Sequence, residues 1–269
     1  MLINYEKPFF HFSIDDVIDS LIEVSNSSDD FFSNSFFKFL DTMHSKYNVK
    51  IDLYCFYQKN IQNKLRNLTE VSDQNKNIFI NNPWLRLGPH ALDYDSPPYA
   101  QSPDQQIDIF DSIYDEIERF TGITSKCELI RLHFFTESYE LADYFHTKNV
   151  HSLFTTDKPV ISHRMNDTVK SELKNLGYAS FNGMGFVRSH FRIETLVDQN
   201  LSNKEIIDLL EYYISTYGFV TFLTHEYELV RSEVRYTTEF ILNYLHHHEL
   251  SMWVWLKTLD RHIYFLSLI

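Results

Sequence analysis

An α/β fold around a mainly parallel sheet is predicted by three features of the sequence. Short runs rich in Phe, Ile, Val and Tyr alternate with longer segments of helical period, the pattern of repeated strand–helix units. Hydrophobic residues make up 43% and aromatics 16% of the 269 residues, with 23 Phe and 17 Tyr, enough to bury a sizeable core. No Gly-, Ser- or Pro-rich linker divides the chain, so one domain is expected over residues 1–269.

Each element follows from local pattern. Phe9 to Ile14 is apolar and β-prone and reads as the first strand. A helix is expected to begin near Ser35, whose hydroxyl suits a cap, with Phe36, Phe39, Leu40 and Met43 on one face at three- and four-residue spacing. The alternation in VKIDLYCFY, residues 49–57, predicts a second strand. A strand near Trp84 to Leu87 leads into a Pro-rich stretch reaching residue 103, a long irregular loop of the kind that carries function. Ile107, Phe110, Ile113, Ile117 and Phe120 give helical period over 104–122, with Gly122 as the stop. Residues 127–135 read as a strand, 138–149 as a helix and 150–156 as a strand. A helix over 166–177 ends at Gly177, Asn182-Gly183 marks a turn within a hairpin excursion over 178–197, and another helix starts at Ser202. The strand GFVTFLT runs into a loop by residue 229, a helix covers roughly 232–247, and MWVWL and HIYFLSLI are strand-like.

Composition narrows the function. With six glycines and no GxGxxG or GxxxxGK[ST], nucleotide chemistry built on Gly-rich phosphate turns is excluded. The balance of 37 acidic against 24 basic residues, a net charge of −13, repels phosphodiester backbones, so no nucleic-acid partner is expected. Cys55 and Cys127 lack a CxxC spacing and read as buried free thiols. No stretch approaches membrane-spanning length without charges and MLINYEKPFF is not of export type, so a cytoplasmic protein is expected.

Ionisable residues gather where the predicted strands end, the positions from which the loops of a β/α fold converge on one open face. Asp15 and Asp16 close the first strand, His90 follows the strand near Trp84, and Arg131 and His133 lie in the next strong one. Asp157 ends another, and His225 with Glu226 ends GFVTFLT. Each has an ordinary reading: adjacent acids cap a helix start, Arg131 pairs with Asp157 or Glu137, a lone histidine packs in the core. Their recurrence on independent strands points instead to a shared cation, because carboxylates and imidazoles buried together without partners are strongly disfavoured. Trp84, Tyr94 and Tyr99 near the Pro-rich loop are candidates to stack on sugar rings or to fill the core, and His246 to His248 read as a solvated helix end.

In their order these motifs resemble the polysaccharide deacetylases, metal-dependent carbohydrate esterases on a distorted (β/α) barrel of about seven strands. FSIDDV is similar to the family's Asp-Asp motif, with Val17 in place of the usual Gly; the resemblance implies Asp15 as general base and Asp16 as metal ligand. GPHALDY is similar to the second motif, in which one His follows another at four residues. His90 matches the first, but Tyr94 holds the second position between Asp93 and Asp95, so the implied ligands are Asp16, His90 and Asp93, an oxygen replacing a nitrogen. RLHFF matches the Arg of the third motif at Arg131, with Phe134 and Phe135 where the family has Pro-Tyr, and LTH matches the last, making His225 the general acid.

His133, His163, His190, Arg192 and Glu194 have no counterpart in these motifs. Arg131, His133, Arg192 and Glu194 are expected to contact substrate, the two arginines by gripping a carboxylate. Over about residues 8–230, the resemblance implies a hydrolase that deacetylates an N-acetylated sugar of a polysaccharide or its precursor. Its implied cofactor is a divalent ion, zinc first, with cobalt, nickel and manganese as the other candidates. The same barrel also admits a non-catalytic role, in carbohydrate binding or glycan assembly.

Overall fold

The computed structural model describes residues 8–124, 127–135, 140–158, 165–248 and 250–252. The first strand, β1 (Phe9–Val17), is buried along almost its whole length because parallel neighbours flank it and helices cover it. After it come α1 (Asp19–Ser25), α2 (Ser35–Tyr47), β2 (Ile51–Phe56), a small hairpin of β3 (Gln58–Ile61) and β4 (Lys64–Asn67), α3 (Lys76–Asn81) and β5 (Leu85–Ala91). The middle of the chain forms α4 (Pro103–Thr121), β6 (Leu129–Ile130), α5 (Ala142–Thr147), β7 (Ser152–Thr155), α6 (Asp167–Leu176), β8 (Tyr178–Phe181) and β9 (Met184–Arg188). The remainder forms β10 (Phe191–Arg192), α7 (Ile193–Asp198), α8 (Asn203–Tyr217), β11 (Phe219–His225), α9 (Ser232–His247) and β12 (Ser251–Met252).

The strands form a parallel sheet in the order β10-β11-β1-β2-β5, with β12 also on β1, and a second sheet in the order β6-β7-β9-β8, whose last pair is antiparallel. The chain passes between them within one residue: Ser189 N donates to Thr155 O on β7 at 3.2 Å, and His190 N to Thr221 O on β11 at 3.0 Å. At the other junction Gly88 on β5 lies against Cys127 and Ile130, where an added methyl group would sit 3.1 Å from Cys127 Cβ. The result is α/β with a parallel central sheet and barrel-like strand order, as the sequence predicts. If β9 and β10 are counted as one bent strand, β1, β2, β5, β6, β7, β9–β10 and β11 are seven parallel strands among the described residues, and the two-residue β12, parallel to β1, is an eighth.

Helix ends follow their capping chemistry. Ser102 opens α4 with a capping box to Gln105 and Pro103 at the first position, and Gly122 closes it at φ 72°, a left-handed conformation open to glycine without strain. The predicted Asn182-Gly183 turn joins β8 to β9, with φ 49° and 77°. At α2 the cap is Asn34, whose side chain accepts from Phe36 N and Phe37 N, so Ser35 is the first helical residue instead. Phe12 and Phe222, both fully buried, stack at 5.2 Å where β1 meets β11, and Phe191 stacks on Phe222 from β10 at 5.6 Å.

Several expected boundaries move. The first strand reaches Val17, placing Asp15 and Asp16 inside it; β5 extends through His90; and the strand expected over 127–135 is confined to Leu129–Ile130, with a 3-10 turn at His133–Phe135. Helix α1 and the β3–β4 hairpin have no counterpart in the sequence reading. His163, Glu137 and the strand-like runs beyond Met252 lie outside the described residues. Both cysteines are buried and free, as expected, and no described helix is long and apolar enough to cross a membrane.

Candidate metal centre

Two β-bulges build the site. On β1, Ile14 pairs with Leu53 and Val17 with Cys55, so Asp15 and Asp16 together oppose Tyr54 alone. On β5, Pro89 pairs with Cys55 and Ala91 with the next residue, Phe56, so His90 is the extra residue. In a regular strand successive side chains point to opposite faces; an inserted residue breaks that alternation and re-aims its neighbours. Asp16 takes φ 63°, one of the left-handed positions that Asp tolerates better than most residues. That turn allows two adjacent carboxylates, each 2% exposed, to enter the same buried region and meet different partners.

Asp16, His90 and His133 converge, with one donor atom from each lying within 4.8 Å of the others. His90 Nδ1 lies 2.6 Å from the Arg131 carbonyl oxygen, which can only accept, so this nitrogen carries a proton and Nε2 is the atom turned toward the cluster. His133 Nε2 is likewise 3.0 Å from the Tyr94 carbonyl, leaving the Nδ1 lone pair. Burial first, then His90, lowers the pKa of His133 to about 4, so it is neutral at ordinary pH. His90 Nε2 and His133 Nδ1 lie 3.2 Å apart, within hydrogen-bond reach, with Asp16 Oδ1 at 3.2 Å from His90 and 3.9 Å from His133. Asp16 Oδ1 is buried and makes no hydrogen bond among the described residues. Burial raises the Asp16 carboxyl, but His90, His225 and His133 more than offset it and hold the group below its ordinary value. One carboxylate oxygen and two imidazole nitrogens gathered this closely, once the imidazoles give up the proton between them, fit a divalent ion. Two imidazoles and one carboxylate, the histidines fixed by outer hydrogen bonds to carbonyls, are a borderline-soft set of the zinc type.

Beside this cluster stand two charged pairs. Arg131, 1% exposed, donates from Nη1 to Asp15 Oδ1 at 3.0 Å and to Ser13 Oγ at 2.6 Å, and its guanidinium lies 4.4 Å from the centre of the Phe154 ring. Asp15 is thereby oriented and its charge balanced. His225, opposite Asp15 in the β1–β11 register, holds Glu194 Oε1 at 2.7 Å through Nδ1, while Thr224 donates to Glu194 Oε2 at 3.0 Å. Burial acts to lower His225, but the Glu194 hydrogen bond and the charges of Glu194, Asp15 and Asp16 win, and its pKa is pushed up to about 9. It is an imidazolium at neutral pH.

Glu226, the next residue, is 5% exposed and accepts from the backbone N–H groups of Ile18, Asp19 and Ser20 at 3.0, 2.9 and 2.7 Å. It satisfies the start of α1 and ties the segment after Asp16 to the end of β11. Tyr227 stacks 5.2 Å from His225; burial, then Asp16 and Glu194, raise its phenol.

The structure thus brings together Asp15, Asp16, His90, Arg131, His133, Glu194 and His225. Asp93 is not in the donor cluster: its Oδ2 accepts from Gln58 and its Oδ1 from Asp95 N. A second imidazole, His133 on the 3-10 turn after β6, stands beside His90 in the candidate donor group, where the motif reading expected an oxygen of Asp93. Arg131 is committed to Asp15 and Glu194 to His225, and Arg192 pairs with Asp157 at 2.8 Å, so the expected carboxylate grip by two arginines is not assembled. His190 accepts from Thr221 N through Nδ1 and stacks on Tyr213, a core role. Trp84 is buried against His44 at 4.5 Å. Ser13 was missed as a site residue, its only sequence signal being that it shares the strand face of Asp15, and Glu226, singled out with His225 at the end of GFVTFLT, was given no role.

By sequence, no family model and no curated protein matches the chain. Solved structures do. The 4-alpha-glucanotransferase from Thermococcus litoralis shares 12% identity at a TM-score of 0.57; the alignment covers 98% of this chain, which spans 41% of that protein's length. A CE4 esterase from Streptococcus mutans shares 13% identity at 0.53, over 91% of this chain and 85% of the other. Peptidoglycan deacetylase PdaC from Bacillus subtilis aligns over 99% and 98% at 13% identity and 0.49. At these identities the likeness is one of fold, and the Streptococcus mutans esterase, at 0.53, bears out the α/β architecture expected from the motifs.

Proposed function

We propose that the chain is a metal-dependent hydrolase that removes an acetyl group from an N-acetylated sugar of a polysaccharide or its precursor. The observation that supports this reading is the convergence of Asp16, His90 and His133, with both imidazoles held by outer carbonyls, next to an acid and an imidazolium kept apart by their own partners. Asp16, His90 and His133 would hold the ion, which supplies Lewis acidity toward a water and an amide carbonyl.

The chain's residues provide the proton chemistry. Asp15, oriented by Arg131 and Ser13, takes the proton of the attacking water. His225, protonated at neutral pH and anchored by Glu194 at Nδ1, gives its Nε2 proton to the departing nitrogen as the amide C–N bond breaks, leaving acetate and a free amine. The glucanotransferase likeness shares the strand arrangement, but glycosyl transfer calls for two carboxylates flanking one bond. Here Asp16 belongs to the histidine cluster instead.

Release of acetate from chito-oligosaccharides by zinc- or cobalt-loaded protein tests the reading. Activity is expected in the wild type and not in Asp15→Asn or Asp16→Ala, with zinc retained by the first variant and lost from the second. Stoichiometric carbohydrate binding without metal uptake or acetate release would replace this reading with the non-catalytic one.

A further inference from the structure

Three exposed aromatic side chains stand together at the candidate metal centre: Phe134 at 51%, Tyr94 at 57% and Tyr99 at 44% exposure. The Phe134 ring is 4.2 Å from the His133 ring, 6.4 Å from Tyr94 and 6.2 Å from Tyr99, so the cluster runs outward from a candidate metal donor without a break. Its backbone is unusual as well. Phe134 and Phe135 have φ of 56° and 52°, consecutive left-handed residues with no short polar side chain to support them. The turn sends the two rings opposite ways: Phe135 packs inward against the Arg131 guanidinium at 5.9 Å, while Phe134 faces outward.

Across the mouth stands Tyr227, 44% exposed, with Lys59 Nζ 5.9 Å from its ring centre and bonded to Asp19 at 2.8 Å. Aromatic faces with hydrogen-bonding groups beside them match a ligand that has an apolar C–H face and a hydroxyl rim. The cations beside these rings are already paired, Lys59 with Asp19 and Arg192 with Asp157, and the carboxylates of Asp93 and Asp95 flank Tyr94, so the surroundings suit an uncharged ligand better than an anionic one.

Resting on the reading that the chain takes a carbohydrate, we infer that Phe134, flanked by Tyr94 and Tyr99, is a stacking platform for the sugar next to the reacting one. The substrate is then a neutral chain of two or more sugars. A ring stacked on Phe134 lies one residue outward from the donors, and its neighbour in the chain reaches them.

Calorimetric titration of the zinc-loaded protein with N-acetylglucosamine, chitotetraose, cellotetraose and xylotetraose tests this. At least one tetrasaccharide is expected to bind more tightly than the monosaccharide, Phe134→Ala to weaken it about tenfold and Phe134→Trp to preserve it. Tyr99→Ala, a second probe distant from the donors, is expected to weaken it in the same direction, with zinc affinity checked for every variant. Equal affinity for mono- and tetrasaccharide, indifference to both alanine variants, no binding of any of the four sugars, or a Phe134-dependent dimer in sedimentation overturns the platform. Phe134-dependent binding without acetate release leaves the platform standing and removes the deacetylase reading. Acetate release insensitive to chain length and to Phe134 does the reverse.

Discussion

Strands β1, β2 and β5 carry two buried polar clusters, one deep in the sheet and one at its mouth, made from the same kinds of residue. In the deep cluster His11 Nε2 donates to Asp52 Oδ2 at 2.8 Å, Arg86 bonds Asp52 Oδ1, and Tyr54 gives its hydroxyl proton to Leu129 O at 2.7 Å. Burial raises Asp52, but Arg86 and His11 pull it below its ordinary value, so the carboxylate is ionised with both oxygens engaged. At the mouth, Asp16 Oδ1 accepts no hydrogen bond among the described residues, and His90 Nε2 and His133 Nδ1 lie 3.2 Å apart beside it. Both clusters join a buried aspartate to histidine. The mouth differs in that one oxygen of its carboxylate is left without a described donor beside two imidazoles, and this separates a candidate ligand-binding site from a structural ion pair.

Breaking the deep cluster gives the largest expected effect on stability. Asp52→Ala leaves Arg86 buried without its counter-charge and is expected to destabilise by about 3–5 kcal/mol in denaturant titrations. Asp16→Ala is expected to cost the metal-free fold less than Asp52→Ala, because no described residue donates a hydrogen bond to Asp16 Oδ1, while zinc affinity falls more than about a hundredfold by calorimetry. A loss of stability like that of Asp52→Ala would make the mouth a structural ion pair too.

Glu226→Gln sits between these extremes. It exchanges one accepting oxygen for a donor that faces backbone N–H groups, and is expected to cost about 1–3 kcal/mol and to weaken zinc binding about tenfold by loosening the turn after Asp16. The smallest effect is on pH dependence. His225, raised to about 9 in the folded chain, contributes stability that is complete below about pH 6.5, its unfolded value, and is lost as pH rises through 9. His190, lowered to about 3 by burial, contributes stability that is complete above about pH 6.5 and is lost as pH falls toward 3. Metal-free melting temperature should therefore peak near neutrality, and Glu194→Gln should remove most of the alkaline limb.

Legibility in the sequence divides along the same line. Asp15, Asp16, His90 and His225 could be read because they sit at strand ends in a recognisable order. Asp93 was assigned as a ligand by linear proximity to Tyr94, whereas His133 is more than forty residues further along than His90 and meets it only through the β5–β6 junction. Arg192 and Glu194 were grouped as substrate contacts because they match none of the family's motifs; a helix begins between them and sends one to Asp157 and the other to His225. Elements with strong hydrophobic period and capping residues, such as α4 and α8, were predictable, and both open with the Ser capping box that their sequences announce. The short α1 was not, since the carboxylate that satisfies its first turn arrives from Glu226, at the far end of the chain.

The paired bulges leave the mouth dependent on parity. Removing a single residue between Ile14 and Val17, or between Pro89 and Ala91, would restore regular pairing with β2 and cancel the offset that carries these donors inward. Point substitutions can thin the donor set one ligand at a time, but a one-residue deletion would dismantle it at a stroke while leaving the hydrophobic pattern of the strands almost intact.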